Sequence, residues 1–298
     1  MISIFRSRYS IATVAAVCVA TIAVVGVNVS AQNQGRQGGQ GRQGGQGETQ
    51  QRRPYSFETR VTKTAETYGV PDLMGTWVVT KREPGKEVNA AICDKHTDAR
   101  GLPRNPCRFN ADLLHLTKRA DAWLIFHDER IEGKYFCVPE SVPSLLVREY
   151  PVRIEQRVGQ VTFEHQITIH NNATRVVHTD GRAHLDHGMT PLYYGDSTGR
   201  YEGNELIVDT TNFTFDPNGI DYMTNIPSSW RKHVVERYSL IAPDKMKLVL
   251  WFEDPEMMKE PYTETLELSK IDFDIIWTHC DVENAEADLK MISPKYKD

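Results

Sequence analysis

The stretch VRIEQRVGQVTFEHQITI, residues 152–169, alternates apolar and polar side chains on both sides of Gly159. After the glycine, Val161, Phe163 and Ile167 share one face, which is interrupted by His165. An alternation with period two is typical of antiparallel strands that bury one face and expose the other. The stretch therefore predicts a β-hairpin that turns at Gly159.

A second hairpin is predicted in GRYEGNELIVDTTNF, residues 199–213. Its centre, Glu202-Gly203-Asn204, combines residue types that favour a tight turn, and the run from Leu206 to Thr211 reads as the returning strand. This stretch is interpreted first as a hairpin, with Asp209 either in a network beside Arg200 or directed into a pocket.

Further strands are predicted through His233–Leu240, Met246–Phe252, Tyr262–Leu268 and Ile271–His279. Consecutive short strands at hairpin spacing favour a mainly antiparallel all-β meander that closes into a barrel of about 8–10 strands, because closure removes unpaired edges. A two-sheet β-sandwich is the alternative. Gly75-Thr76-Trp77 resembles the first strand of lipocalins and related calycin barrels.

One insertion interrupts the β pattern at about residues 84–130. It begins as a loop that contains cysteines, and from Asn110, a plausible N-cap, it changes to helical spacing with Leu113, Leu116, Ala120 and Leu124. The insertion and the strands are predicted to belong to one domain, residues 54–298.

The amino-terminal segment predicts export. Arg6 and Arg8 precede an apolar run that ends in small residues, which predicts a signal peptide over residues 1–31. An uncleaved membrane anchor is the alternative, because the run is close to the length that spans a bilayer. Residues 32–53, rich in Gly, Gln and Arg, contain nothing to bury and predict a disordered linker. A periplasmic or secreted location follows.

The charge pattern excludes one class of partner. The net charge is −5, and basic residues alternate with acidic ones, so no nucleic-acid footprint is present. The sequence does not indicate an oligomeric state.

Four cysteines follow the signal peptide, and an exported chain favours their oxidation. Three pairings are open to four cysteines. We expect Cys93 to pair with Cys107 within the Pro- and Gly-containing loop, and Cys137 to pair with Cys280, which ties the end of the chain to the domain.

Five motifs resemble a large family of exported bacterial proteins without an established function. They are YFCVPESVP at 135–143, HTDGRAH at 178–184, STGRYEGNELIVDTTNF at 197–213, HVVERY at 233–238 and EDP at 253–255. His178 and Asn204 stand where the family pattern has Tyr and Asp. The resemblance implies no catalytic residues.

Two polar residues lie on faces that are otherwise apolar. His165 lies between Phe163 and Ile167, and Glu236 shares a face with Val234 and Tyr238. A buried polar group requires a partner. His165 is either a satisfied core residue or a pocket group, and Glu236 is either an acid–base group or the partner of an internal salt bridge, for which we suggest Arg182.

The segment HTDGRAHLDH, residues 178–187, concentrates histidines and aspartates. Its H-x5-H-x2-H spacing matches no zinc motif, so neither a metal nor any other cofactor is predicted. Asp180 is expected at a strand end, with Arg182 and His184 at the mouth of the barrel.

Three functions remain as hypotheses. The first is a barrel that binds a small, partly apolar molecule, for which the expected ligand-binding residues are Phe163, Arg182, His184, Asp209, His233, Tyr238 and Trp277. The second is an enzyme without a cofactor, a hydrolase, lyase or isomerase, whose expected catalytic residues are His165, Asp180 and Glu236. An envelope scaffold with a filled barrel is a third possibility.

Overall fold

A computed structural model describes residues 69–86, 109, 113–167, 172–186 and 190–292. The predicted signal peptide, the predicted linker, the Cys93–Cys107 pair, Asn110 and His187 lie outside these residues.

The described residues form eleven strands and two α-helices. The strands are β1 Gly75–Arg82, β2 Val152–Arg157, β3 Gln160–His165, β4 Ala173–His178, β5 Asp196–Glu202, β6 Glu205–Thr211, β7 Asp216–Asp221, β8 Ile226–Ser228, β9 His233–Ala242, β10 Lys245–Glu253 and β11 Tyr262–Ile271. The helices are α1 Lys118–Phe126 and α2 Val282–Ile292, and 3₁₀ turns cover Glu129–Ile131, Gly133–Phe136 and Ser144–Val147.

Nine of the strands in the described residues close into a barrel in the order β1-β11-β10-β9-β6-β5-β4-β3-β2. The predicted all-β barrel is therefore confirmed. It departs from a simple meander at two points. β4 and β5 are parallel neighbours. In the connection that links β6 to β9 along the chain, β7 and β8 form a separate two-stranded sheet.

The two ends of the barrel differ. Three hairpins close through the two-residue turns 158–159, 203–204 and 243–244, at what we call the turn end. The connections 212–232 and 254–261 lie at the opposite end, which we call the loop end, together with the described residues between β3 and β4, 166–167 and 172. Residues 140–150, named the cap segment here, lead into β2 at the loop end. Functional groups commonly lie on long loops that a rigid scaffold positions.

The interior follows the predicted alternation. Trp77 and Val79 are buried on β1, and Phe163, Tyr238 and Phe252 are buried on their strands. The Trp77 indole donates a hydrogen bond to the carbonyl of Leu73 at 2.8 Å, so its polar atom is satisfied. Each large apolar side chain buried in this way stabilises the fold by roughly 1.5–3 kcal/mol.

The predicted hairpin at residues 199–213 is present. Glu202 pairs with Glu205 across the turn, and Gly203 has φ 58°. A positive φ at the first central residue of a two-residue turn matches the twist of the flanking strands and favours glycine.

Helix α1 begins later than predicted. Its N-cap is Thr117, whose hydroxyl accepts a hydrogen bond from the Ala120 amide at 3.3 Å. Leu116 instead forms a β-bridge with Met258. Helical spacing alone would place Leu116 in the helix, but it pairs instead with the chain that follows β10.

The predicted strand Ile271–His279 does not form, because β11 ends at Ile271. Trp277 is 70 % exposed, so its predicted place inside the barrel is wrong. The segment runs over the surface, where Gln166 accepts from the Ile276 amide and Thr278 donates to the carbonyl of Ile167.

The predicted pair Cys137–Cys280 is a disulfide, with 5.6 Å between the Cα atoms. It attaches the segment before α2 to the 3₁₀ turn Gly133–Phe136. Within the described part of the chain, no helix has the length and apolar character needed to cross a membrane.

Candidate functional site

A charged network occupies the barrel interior. Arg175 on β4 binds Glu236 on β9 through two hydrogen bonds of 2.5 and 2.6 Å, and Tyr238 donates to the same carboxylate at 2.5 Å. Burial opposes the charge on Arg175, but Glu236 outweighs it and raises the pKa of Arg175. The predicted internal salt bridge of Glu236 is present, although its suggested partner Arg182 is wrong.

A second network of the same composition lies on neighbouring strands. Arg82 at the end of β1 binds Glu264 on β11 at 2.5 and 2.6 Å, and Tyr262 donates to that carboxylate at 3.3 Å. In both networks the tyrosine stands two residues from the glutamate and so shares its face of the strand. Each glutamate is therefore fully occupied by an arginine and a tyrosine.

His165 lies at the loop end of β3 and is 4 % exposed. Burial, with a smaller contribution from the charge of Arg175, lowers its pKa to about 3, so the imidazole is neutral at physiological pH. Its Nε2 atom is buried and has no hydrogen-bond partner. A buried polar atom without a partner costs roughly 1–3 kcal/mol.

His165 lines a small cavity between the barrel and the cap segment. Most of the wall is apolar, and the lining residues are Val79, Leu145, Leu146, Arg148, Tyr150, Val152, Phe163, His165, Tyr238, Leu248 and Leu268. The centre of a water-sized molecule has about 10 Å³ in which to move, which is the room for one water.

The cap segment is held by buried polar contacts. Arg148 pairs with Glu140 at 2.5 Å, and Ser144 donates to the same carboxylate at 2.8 Å. The Ser144 hydroxyl in turn accepts from the Tyr222 amide at 3.3 Å, which joins the cap segment to the β7–β8 connection. Arg148, the one arginine among the described residues of the cavity wall, is therefore already paired with a carboxylate.

A different cluster, on the outer face of the barrel, contains four of the predicted ligand-binding residues. Arg182 binds Asp196 at the start of β5, and the His184 Nδ1 atom lies 3.3 Å from the same carboxylate. The His184 Nε2 atom lies 3.2 Å from Asp209 and 3.1 Å from the hydroxyl of Thr198.

His233 completes this outer cluster. Its Nε2 atom lies 3.0 Å from the Asp209 carboxylate, while Nδ1 lies 3.9 Å from Glu253. The hydrogen bond to Asp209 raises the pKa of His233, against the effect of burial. Burial works to raise the pKa of Asp209, but hydrogen bonds and charges from His233 and His184 outweigh it and lower that pKa.

The parallel pair of strands explains why this cluster lies outside the barrel. The chain leaves β4 at the turn end and returns to the loop end before β5, so the described residues of this connection, 179–186 and 190–195, run along the outer face. Asp209 lies between Val208 and Thr210, which are fully buried, and therefore points outward. The prediction that Arg182 and His184 line the mouth of the barrel is wrong for this reason.

The structure places Asp180 apart from the other two predicted catalytic residues. His165 and Tyr238 line one cavity at the loop end, and Tyr238 with Arg175 binds the carboxylate of Glu236. Asp180 is exposed at the turn end, beside Gly159. Phe163 and Tyr238 do share the cavity wall with His165.

Sequence reasoning missed several buried charged residues. Arg175 lies between Ala173 and Val177 on the apolar face of β4, which is the signal that identified Glu236. Glu264 follows the same rule on β11. Lys232 is 1 % exposed and contacts Ser141. It precedes β9, so no alternation of apolar and polar residues indicates that it is buried.

Among the described residues, no group of three or more His, Cys, Asp or Glu side chains is arranged to hold a metal ion. No family model, curated protein or solved structure matches the chain. The resemblances to the exported family and to the lipocalin start therefore stay predictions.

Proposed function

We propose that this chain binds a small, largely apolar and uncharged molecule at the loop end of its barrel. The observation that carries the proposal is the unpartnered Nε2 atom of His165 in the wall of a mostly apolar cavity. Ligand sites commonly combine apolar walls with a few placed polar groups. A ligand hydroxyl or carbonyl supplies the partner that His165 lacks.

The charges around the cavity favour an uncharged ligand. His165 is neutral, because its pKa is lowered to about 3. Arg148 is paired with Glu140, so it offers no free positive charge to a carboxylate. An alcohol, aldehyde or ketone therefore suits the cavity better than a fatty acid anion does.

The size of the cavity links binding to movement of the cap segment. With room for one water, the closed barrel accepts a larger ligand only when Leu145 and Leu146 move outward. Ligand binding then selects a conformation in which the cap segment is open.

The test uses three six-carbon probes, 1-hexanol, hexanal and hexanoate, in thermal unfolding. We expect 1-hexanol or hexanal to raise the Tm of the wild type and hexanoate to leave it unchanged. His165→Leu removes the polar contact and is expected to abolish the shift. His178→Leu, the same change on the next strand at the turn end, is the matched control and is expected to keep it.

Two results contradict the proposal. One is an equal Tm shift in the wild type and His165→Leu. The other is stabilisation by hexanoate as large as that by the alcohol. Mass spectrometry of the protein purified from its native host identifies the natural ligand.

The proposed location is the periplasm or the cell exterior. The disulfide Cys137–Cys280 supports it, because such bonds persist in oxidising compartments. Fractionation of native cells is expected to recover the protein outside the cytoplasm. Deletion of residues 1–31 is expected to keep the protein in the cytoplasm, with Cys137 and Cys280 reduced. Export of the shortened chain would contradict the predicted signal peptide.

A further inference from the structure

Lys232 is buried at the loop end, just before β9. Its Nζ atom donates to the Ser141 hydroxyl at 3.0 Å and to the carbonyls of Val142 and Gly219 at 2.8 and 3.2 Å. Within the described residues it forms no ion pair with a carboxylate. All three acceptors are therefore uncharged.

Burial and the contacts of Lys232 act in opposite directions on its charge. The Nζ atom lies 4.2 Å from the ring centroid of Phe213, a contact that favours the ammonium form. Burial lowers the pKa of Lys232 to about 8, although the charges of Asp216 and Asp254 partly oppose this. At pH 7 about one molecule in ten then carries a neutral amine beside the Ser141 hydroxyl. The same hydroxyl donates to the Asp216 carboxylate at 3.4 Å, so a carboxylate also faces the pair.

We propose that Ser141 is a nucleophile that Lys232 activates for the hydrolysis of small carboxylic esters. A serine hydroxyl next to a neutral lysine is a nucleophile with its general base, a recurrent variant of the Ser-His-Asp arrangement. This pair does not require the G-x-S-x-G turn that the sequence lacks.

The reaction balances with water as the second reactant. The Ser141 Oγ atom bonds to the ester carbonyl carbon while its proton passes to Lys232. The tetrahedral intermediate collapses, the carbon–oxygen bond to the alcohol breaks, and Lys232 returns the proton to the departing alkoxide. Water then attacks the acyl-serine with Lys232 as the base, and the products are a carboxylic acid and free Ser141.

A second observation points to a bound polar group. Asn218 is 1 % exposed, and neither its Oδ1 nor its Nδ2 atom has a hydrogen-bond partner. It is adjacent in the chain to Gly219, whose carbonyl binds Lys232. We assign its amide as the donor to the oxyanion, because such donors are among the strongest contributors to acyl transfer.

Access to Ser141 depends on the cap segment. Ser141 is 2 % exposed, and its carbonyl accepts from the Leu145 amide at 3.0 Å. A substrate therefore reaches the hydroxyl only when the cap segment opens, as lids do in other enzymes. The chemistry involves Ser141, Lys232 and Asn218 and does not use His165, so this proposal and ligand binding at His165 fail separately.

The experiment labels the full chain with a small fluorophosphonate and locates the adduct by mass spectrometry. We expect phosphonylation at Ser141, at a rate that rises with pH and levels off above about pH 8. Lys232→Met is expected to slow labelling by about 100-fold or more, and Ser141→Ala to abolish it. Ser239→Ala changes another buried serine, on β9, and is the control. We expect this variant to be labelled at Ser141 as fast as the wild type.

Hydrolysis of p-nitrophenyl acetate by the same variants is expected to follow the labelling. Circular dichroism checks that Lys232→Met is folded, and the wild-type pH profile decides the matter if it is not. Absence of an adduct at Ser141 across the pH range overturns the proposal. Equal labelling of a folded Lys232→Met also overturns it and leaves the pair as a structural contact.

Discussion

Glu236 and Arg175 face each other in the barrel interior, where neither charge is able to reach water. Glu236→Gln keeps the volume but leaves Arg175 without a counter-charge, so we expect a loss of roughly 3–5 kcal/mol in the free energy of unfolding, measured in urea. Glu205→Gln breaks a partly exposed pair with Arg237 and is the control, with an expected loss below about 1 kcal/mol. Similar losses in both variants would contradict this account.

His233 and Asp209 predict a pH-dependent contribution to stability. The raised pKa of His233 gives stability that is complete below its ordinary value of 6.5 and is lost as the pH rises through its folded value. The lowered pKa of Asp209 gives stability that is present above its ordinary value of 3.8 and is lost only at lower pH. The pair therefore stabilises most between these two limits.

A double-mutant cycle with His233→Gln and Asp209→Asn measures this coupling. We expect a coupling energy on the order of 1 kcal/mol at pH 5.5 and a smaller one at pH 8.5. A coupling that grows from pH 5.5 to pH 8.5 would show that the imidazole is not the charged partner. The experiment is independent of any ligand.

The candidate site was predictable only where a residue interrupts a strand pattern. Glu236 and His165 stood out because their faces are otherwise apolar, and Arg175 carries the same signal. Lys232 and Ser141 lie in connections, where no period exists to be broken. Asp209 fits the alternation of β6. The segment around His184 that contacts it from outside depends on the parallel pairing of β4 and β5, which a local sequence pattern does not encode.

At the scale of elements, two glycines of the β5–β6 region are predicted to differ in what they tolerate. A Cβ at Gly195 would meet Thr210 at 2.6 Å and Phe213 at 2.8 Å, and φ is +72°. A Cβ at Gly203 would meet nothing within 4 Å, although φ is +58°. A side chain at position 195 would therefore meet both close neighbours and a left-handed backbone conformation. A side chain at position 203 would meet only the left-handed conformation.

Gly195→Ala is expected to destabilise by about 2–4 kcal/mol, from overpacking and the left-handed conformation together. Gly203→Ala is expected to cost about 1 kcal/mol, from the backbone alone. Urea unfolding of both variants decides the comparison. Equal losses would mean that Thr210 and Phe213 move aside without cost.

Strand prediction succeeded where one face is buried along the whole element, as in β2, β3, β9 and β10. It failed at residues 271–279, where Phe273, Ile276 and Trp277 read as strand formers but are exposed. These residues follow β11, which already pairs with both β10 and β1. The closed ring has no free edge on which a further strand could pair.

At the scale of the whole molecule, the disulfide Cys137–Cys280 joins residues 143 positions apart. Replacing both cysteines with alanine is expected to cost roughly 2–5 kcal/mol, because the cross-link restricts the unfolded chain. Urea unfolding of the oxidised wild type and the double variant measures this. Thiol titration of the unreduced, denatured wild type checks that the bond is present, and an unchanged midpoint in the double variant would contradict its stabilising role.

The pairing of β1 with β11 has a consequence for biogenesis. Thr76 pairs with Ile271, so the ring is completed by residues from nearly opposite ends of the barrel sequence. During synthesis the first strand has only one of its two neighbours until the last strand has emerged from the ribosome. Pairings this distant in sequence form slowly, since a long loop must close before they contribute. The nascent chain consequently stays without its finished fold while translation continues, which is the condition that threading an unfolded polypeptide through a secretion channel requires.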